Sequence, residues 1–336
     1  MNTKRIISLV ASLALVLSLS VGLTGCGDKA AQDDNQGSTD GEGTKYTVGI
    51  CQLVQHEALD AATQGFIDAL NEALPGQVEF QNKNASGDSA NCSTIVNGFV
   101  SDGVDLIMAN ATGALTAAAA ATSDIPILGT SITAYGVALD IDDFNGTVGG
   151  NISGTSDLAD LEAQANMITE WFPDATKVGL LFCSAEPNSR YQIGEVAKCL
   201  SDKGIETKEF AFTDTNDVAS VTQSAADYSD VVYIPTDNTA ASNTEAIANV
   251  VLAKKVPVIA GEEGIARGCG VAALSISYYD LGYQTGLMAY DILANGADVS
   301  TMAVQTAPSV TKKYNAANAE ALGITIPDDY EAIAEN

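Results

Sequence analysis

The chain has 336 residues, 46% hydrophobic and 17% charged, and its 43 Asp plus Glu against 15 Lys plus Arg give a formal net charge of -28. So acidic a surface repels phosphate backbones, which excludes nucleic acid as a partner. A single histidine, His56, and six scattered cysteines without Cys-x-x-Cys spacing leave no basis for a multi-imidazole zinc site or a dithiol redox centre. No metal, no cofactor and no catalytic triad are expected.

The chain opens with Lys4 and Arg5, an apolar run over residues 6–21, and then Leu23-Thr24-Gly25-Cys26. That order resembles the bacterial lipobox, in which the Cys is lipidated and the peptide before it is removed. Residues 1–25 are accordingly read as a lipoprotein signal peptide and Cys26 as the lipidation site. An ordinary signal peptide or an N-terminal membrane helix are the alternatives, but the apolar run is short for a span of about 20 residues. Residues 26–44 are rich in Asp, Gln, Gly, Ser and Thr, cannot bury apolar surface, and are expected to be a disordered tether. The chain is therefore expected on the outer face of the cell membrane.

From Lys45 onward, short β-rich runs (46–54, 77–81, 104–109 and 125–129) alternate with helical stretches at 58–73, 88–101 and 112–122. The alternation restarts with a strand at 177–183 and continues to strands at 256–261 and 271–275. Repeated strand–helix–strand units predict right-handed βαβ crossovers and parallel sheets covered on both faces. The expected fold class is α/β, with two Rossmann-like parallel-sheet lobes joined by a hinge of three crossovers. Lobe 1 is assigned residues 45–152 plus 279–336 and lobe 2 residues 153–278. The segment 147–156 is expected to carry the first crossing, and a strand is expected at 302–304. Asp140 to Gly146 lacks the full spacing of a calcium loop and reads as a solvated turn.

In open α/β sheets ligands bind beyond the carboxyl ends of strands. Those loops carry Leu53 and His56, Thr112, the run Ser153-Gly154-Thr155-Ser156-Asp157, Asn188 and Ser189, Thr236-Asp237-Asn238, and Glu262. Hydroxyls and amides at helix starts suit a ligand carboxylate, and Asp237 suits an ammonium. Each residue taken singly is equally well explained as a helix cap. His56 is either a ligand contact or a loop cap.

The stretch Gln52-Leu53-Val54-Gln55-His56-Glu57-Ala58-Leu59-Asp60-Ala61-Ala62 resembles the opening of the ABC-transporter substrate-binding lipoproteins that include tryptophan- and tyrosine-binding members. Asn151 to Asp157, Glu186-Pro187-Asn188-Ser189, Val232 to Thr239 and Tyr278 to Gly282 match the same group in the same order. The resemblance implies a type I periplasmic-binding-protein fold, and delivery of a small ligand to a permease driven by a cytoplasmic ATPase. It also implies that Thr236, Asp237 and Asn238 hold an amino end, that Asn188, Ser189 and Thr112 hold a carboxylate, and that Leu53 and the Ser156-Asp157 turn line a side-chain pocket. The chain departs from the group at Glu57, where Pro is common, at Ala134-Tyr135-Gly136, and at Glu262-Glu263.

The function expected is that of a solute-binding lipoprotein without enzymatic activity, closing on a zwitterionic amino acid, an aromatic one by the resemblance. Its expected partners are that ligand, the permease and ATPase subunits, and the membrane through the lipid. A receptor for a sugar or nucleoside, and a tethered sensor, remain as alternatives. A surface hydrolase would need a nucleophile–base pair that the sequence does not offer.

Overall fold

A computed structural model describes residues 45–307 and 309–334. The signal peptide, Cys26 and the tether lie outside the described residues. In chain order the first part comprises β1 (Tyr46–Gln52), α1 (Glu57–Ala73), β2 (Val78–Asn84), α2 (Ser89–Asp102), β3 (Leu106–Asn110), α3 (Thr112–Ala121), β4 (Ile127–Ile132), α4 (Tyr135–Ala138) and β5 (Ile152–Ser156). The second part comprises α5 (Leu161–Trp171), β6 (Lys177–Cys183), α6 (Pro187–Asp202), β7 (Glu206–Phe212), α7 (Val218–Tyr228), β8 (Val231–Ile234), α8 (Asn238–Ala241), α9 (Thr244–Lys254), β9 (Val258–Ala260), α10 (Glu263–Gly268) and β10 (Ala272–Ser275). The chain ends with α11 (Tyr278–Asn295), β11 (Gln305–Thr306), β12 (Thr311–Tyr314), α12 (Ala316–Leu322) and β13 (Glu331–Ala332).

These strands form two sheets, ordered β11-β5-β4-β3-β1-β2 and β13-β12-β10-β9-β8-β6-β7. Every pairing in the first is parallel, while β12 runs antiparallel to β10 in the second. Successive side chains of a strand point to opposite faces, and both faces of each sheet are buried. Val48 and Ile50 of β1 pack with Phe66, Leu70 and Met288, whereas Cys51 joins Cys92, Phe99 and Leu115 on the other side. In β6, Val178, Leu180 and Phe182 join the α5 and α6 side, and Leu181 and Cys183 the α7 and α9 side. Cys51 and Cys183 are thus small core residues.

Helix α11 belongs to the first lobe because it crosses α1 at backbone contact. A Cβ on Gly282 would lie 1.9 Å from the Ala62 carbonyl oxygen, and one on Gly65 would lie 2.1 Å from that of Tyr279. Only hydrogen fits at that crossing.

The boundaries differ from expectation in three places. Ile152–Ser156 is strand β5 of the first sheet and not the crossing itself, which follows at Asp157; its residues are buried and pair with β4. The short strand after α11 is Gln305–Thr306, pairing with β5, in place of 302–304. The C-terminal stretch does not stay in lobe 1. The chain crosses a third time between Thr306 and Thr311, and β12 closes the edge of the second sheet. What holds it there is apolar: Leu322, Ile324, Ile326 and Tyr330 pack on the cluster around Trp171, whose ring meets Tyr330 edge-on at 5.1 Å. Three strands between the lobes make the hinge, through Asp157, Ile276 and the link before Thr311.

Candidate functional site

The carboxyl ends of both sheets face one cleft. Its deep end is a cavity of about 10 Å³ near the hinge, and its mouth is a crevice of about 810 Å³; Asn188 and Asn238 line both. From the first lobe come His56, just before α1, and Ser131 and Thr133, after the bulge that shifts the β4–β5 register between Gly129 and Ile132. Such a bulge re-aims side chains, and Ser131 holds a left-handed φ of 57°. The second lobe contributes Asn188 at the start of α6, Thr236 to Asn238 after β8, and Glu262 after β9. Asp157 and Tyr278, on the first and second crossings, complete the wall; the Tyr278 hydroxyl donates to Asp157 Oδ2 at 2.9 Å.

The electrostatics are one-sided. Asp157, Asp237 and Glu262 are all nearly inaccessible to solvent and line the same cavity, and among the described residues no Lys or Arg does so. Burial pushes Asp237 up to about 8, with the neighbouring Glu186 charge adding to the effect. Burial likewise lifts Glu262 to about 7, although backbone N–H groups of Gly264 and Ile265 pull it back. Asp157 is raised by burial against the opposing bond from Tyr278. Burial lowers the pKa of His56, so its imidazole stays neutral. Glu186 sits just behind, accepting from the N–H and side-chain amide of Asn238 and from the N–H and hydroxyl of Thr239. It holds the β8–α8 turn in place.

Among the described residues a hydrogen bond and an ion pair cross the cleft and exist only with the lobes together. His56 Nε2 meets Asn238 Oδ1 at 3.2 Å, and Arg267 on α10 meets Glu57 at the start of α1 at 3.0 Å. The conformation is therefore closed.

Of the residues named from the sequence, His56, Asp157, Asn188, Thr236, Asp237, Asn238 and Glu262 come together around the deep cavity. Leu53 and Thr112 line the crevice, where Leu53 packs against Gly113. Ser153, Gly154, Thr155, Ser156 and Ser189 reach neither. Thr155 is locked between the Thr130 and Thr285 hydroxyls at 3.2 and 2.9 Å. Ser156 donates to the Thr133 carbonyl and accepts from the Leu158 N–H, which shapes the first crossing and leaves it on a separate groove. Ser189 is fully buried against the Thr236 carbonyl. His56 occupies the cap position of α1 but makes no side-chain cap bond. Ser131, Thr133 and Tyr278 were missed as wall residues. Sequence reading ended the fourth strand at Gly129, and the bulge that turns Ser131 inward has no periodic signal.

A sequence profile described as "ABC transporter substrate binding protein" matches residues 47–336. The chain belongs to that family. It is a family of solute-binding proteins, not of enzymes, and it acts outside the cytoplasm. A curated relative, the tyrosine-binding protein of Clostridioides difficile strain R20291, is 34% identical over 317 residues, covering 91% of this chain and 88% of its own. A Streptococcus pneumoniae ABC domain solved in complex with L-Trp superposes with a TM-score of 0.81 at 30% identity, covering 85% of this chain and 97% of that one. The ligand-free, open structure of a Clostridium difficile substrate-binding protein gives 0.66 at 33% identity, over 87% and 100%. The better fit to the ligand-bound relative agrees with the closed cleft of this substrate-binding protein. More distant neighbours, such as a Thermotoga maritima leucine-binding protein at 13% identity and a TM-score of 0.56, share the type I periplasmic-binding fold alone. Among the described residues no helix is long and apolar enough to cross a membrane.

Proposed function

We propose that this protein is the lipid-anchored receptor of an ABC importer, enclosing a zwitterionic aromatic amino acid and handing it to the permease. One observation carries the reading: three buried carboxylates converge on a cleft cavity that no Lys or Arg among the described residues lines. Burial raises the pKa of all three, and an entering cation favours their ionised forms; a ligand ammonium supplies that cation. The mouth crevice adds apolar wall from Leu53, Val54, Ala117, Ala120 and Pro187, and hydroxyls at Thr112, Thr239 and Ser242. That mixture suits an aromatic side chain and a carboxylate. The tyrosine-binding relative and the L-Trp complex support the ligand class. Support for the anchor comes from Leu23-Thr24-Gly25-Cys26, and Cys26→Ala is expected to move the protein from the membrane to the soluble fraction.

Closing shifts an open–closed equilibrium by the ligand's preference for the closed form. The test is a thermal-shift panel of the twenty amino acids, sugars and nucleosides. A ligand at 100 times its Kd adds about 2.7 kcal/mol to stability, a clear rise in melting temperature. Tryptophan or tyrosine is expected to give that rise. A response to a sugar or nucleoside with silence across the amino acids would replace this reading.

A further inference from the structure

We infer that Ser131, Asp157 and Asn188 form a three-acceptor socket for the ligand's ammonium, centred on the carboxylate at the first crossing of the hinge. The inference rests on the amino-acid reading above and names the groups that carry it out. Three residues that line the deep cavity each hold a buried side-chain oxygen that finds no hydrogen-bond partner among the described residues: Ser131 Oγ, Asp157 Oδ1 and Asn188 Oδ1. Orphaned buried acceptors are costly and call for an explanation. Each residue is at most 6% exposed.

The orientation of the Asn188 amide is settled by its neighbours. Its nitrogen faces the Thr236 carbonyl at 3.2 Å and Glu186 Oε2 at 3.3 Å, both acceptors, so the oxygen is the atom left toward the cavity. Asp157 keeps Oδ2 on the Tyr278 hydroxyl, and its Oδ1 finds no hydrogen-bond partner among the described residues. Asp237 and Glu262 differ. Asp237 accepts the N–H groups of Cys183 and Ala240 at 2.7 and 2.8 Å. Glu262 accepts those of Gly264 and Ile265, both at 2.6 Å. Both act as caps of the turns that follow them, while Asp157 supplies the contact. This moves the amine partner from Asp237, where the resemblance placed it, to the hinge.

Size and valence agree. The cavity measures about 10 Å³, room for a group of about the size of a water, and an –NH₃⁺ group is of that size. An ammonium has three N–H donors, and three acceptors await it. Ser131 belongs to the first lobe, Asn188 to the second and Asp157 to the strand between them. An amine seated there joins both lobes at their pivot, and Tyr278 ties Asp157 to the second crossing.

The test is calorimetry with L-tryptophan, L-tyrosine and the deaminated probe indole-3-propionate. Asp157→Asn is expected to weaken L-tryptophan or L-tyrosine about thirtyfold or more, and Ser131→Ala about fivefold or more. The preference for L-tryptophan over indole-3-propionate should collapse in Asp157→Asn. Binding of the amino acid within threefold of wild type in Asp157→Asn would overturn the socket. Equal losses for the amino acid and the deaminated probe would do so too, since that pattern marks a structural role. If Asp157→Asn does not fold, Ser131→Ala decides, because an unchanged preference for the amine then overturns the inference. Wild type that binds neither amino acid refutes the amino-acid reading itself, a result distinguishable from failure of the socket.

Discussion

Raising the pH from 6 to 8 should tighten amino-acid binding. The ligand's ammonium keeps its charge across this window, so the change comes from the protein. With its midpoint at about 7, Glu262 passes from about one tenth ionised at pH 6 to about nine tenths at pH 8. Asp237, at about 8, is still mostly protonated at pH 7, and holding it ionised there costs about 1.4 kcal/mol. Asp157 is shifted in the same direction by burial. A cation entering the cavity favours the ionised forms and expels protons. If one proton leaves, affinity rises about tenfold over the window, and a second makes the slope steeper. Because burial lowers the His56 pKa, its ring stays uncharged and adds no trend of its own. Isothermal titration in two buffers of different ionisation enthalpy reads both the affinity and the number of protons released. Affinity that is flat or falls from pH 6 to 8, or no proton release at pH 7, would refute the anionic cleft as the seat of the ammonium.

The same shift bears on the ligand-free protein. The folded pKa of Glu262 is raised, so its contribution is fully present below about 4.5 and is lost as pH rises through about 7, a change on the order of 3 kcal/mol; chemical denaturation of Glu262→Gln should show a shallower decline across that window, and an unchanged slope would exonerate the residue. Gly282→Ala places a methyl against the Ala62 carbonyl, and forced overpacking of this kind costs about 1–3 kcal/mol; a melting temperature equal to wild type would contradict the α1–α11 contact. Glu57→Gln removes the ion pair with Arg267 across the cleft. Such partly exposed pairs contribute about 0.2–1 kcal/mol, so stopped-flow should show ligand release accelerated by up to about fivefold. An unaltered release rate would take the pair out of closure.

Much of this molecule was legible in its residue order because the determining interactions are local. Alternation of short β-rich runs with helical stretches is a property of neighbouring residues, and it specified two parallel sheets covered on both faces. The loops beyond those strands were equally readable, since Ser, Thr, Asn and Asp mark helix starts whether or not a ligand is present. For that reason they also named Thr155, Ser156 and Ser189, whose hydroxyls are consumed by Thr285, Thr133 and the Thr236 carbonyl. No spacing rule separates a hydroxyl facing a cavity from one facing a neighbouring backbone.

Composition and order thus determined an acidic, two-lobed α/β receptor with its polar loops at the strand ends. Tertiary packing alone decided which lobe takes the C-terminal stretch, because that depends on Tyr330 meeting Trp171 across 159 positions of chain. It also decided which carboxylate keeps an unused oxygen. Asp157, Asp237 and Glu262 are the same kind of group in sequence, and they differ only in how many N–H and O–H donors the folded backbone brings to each.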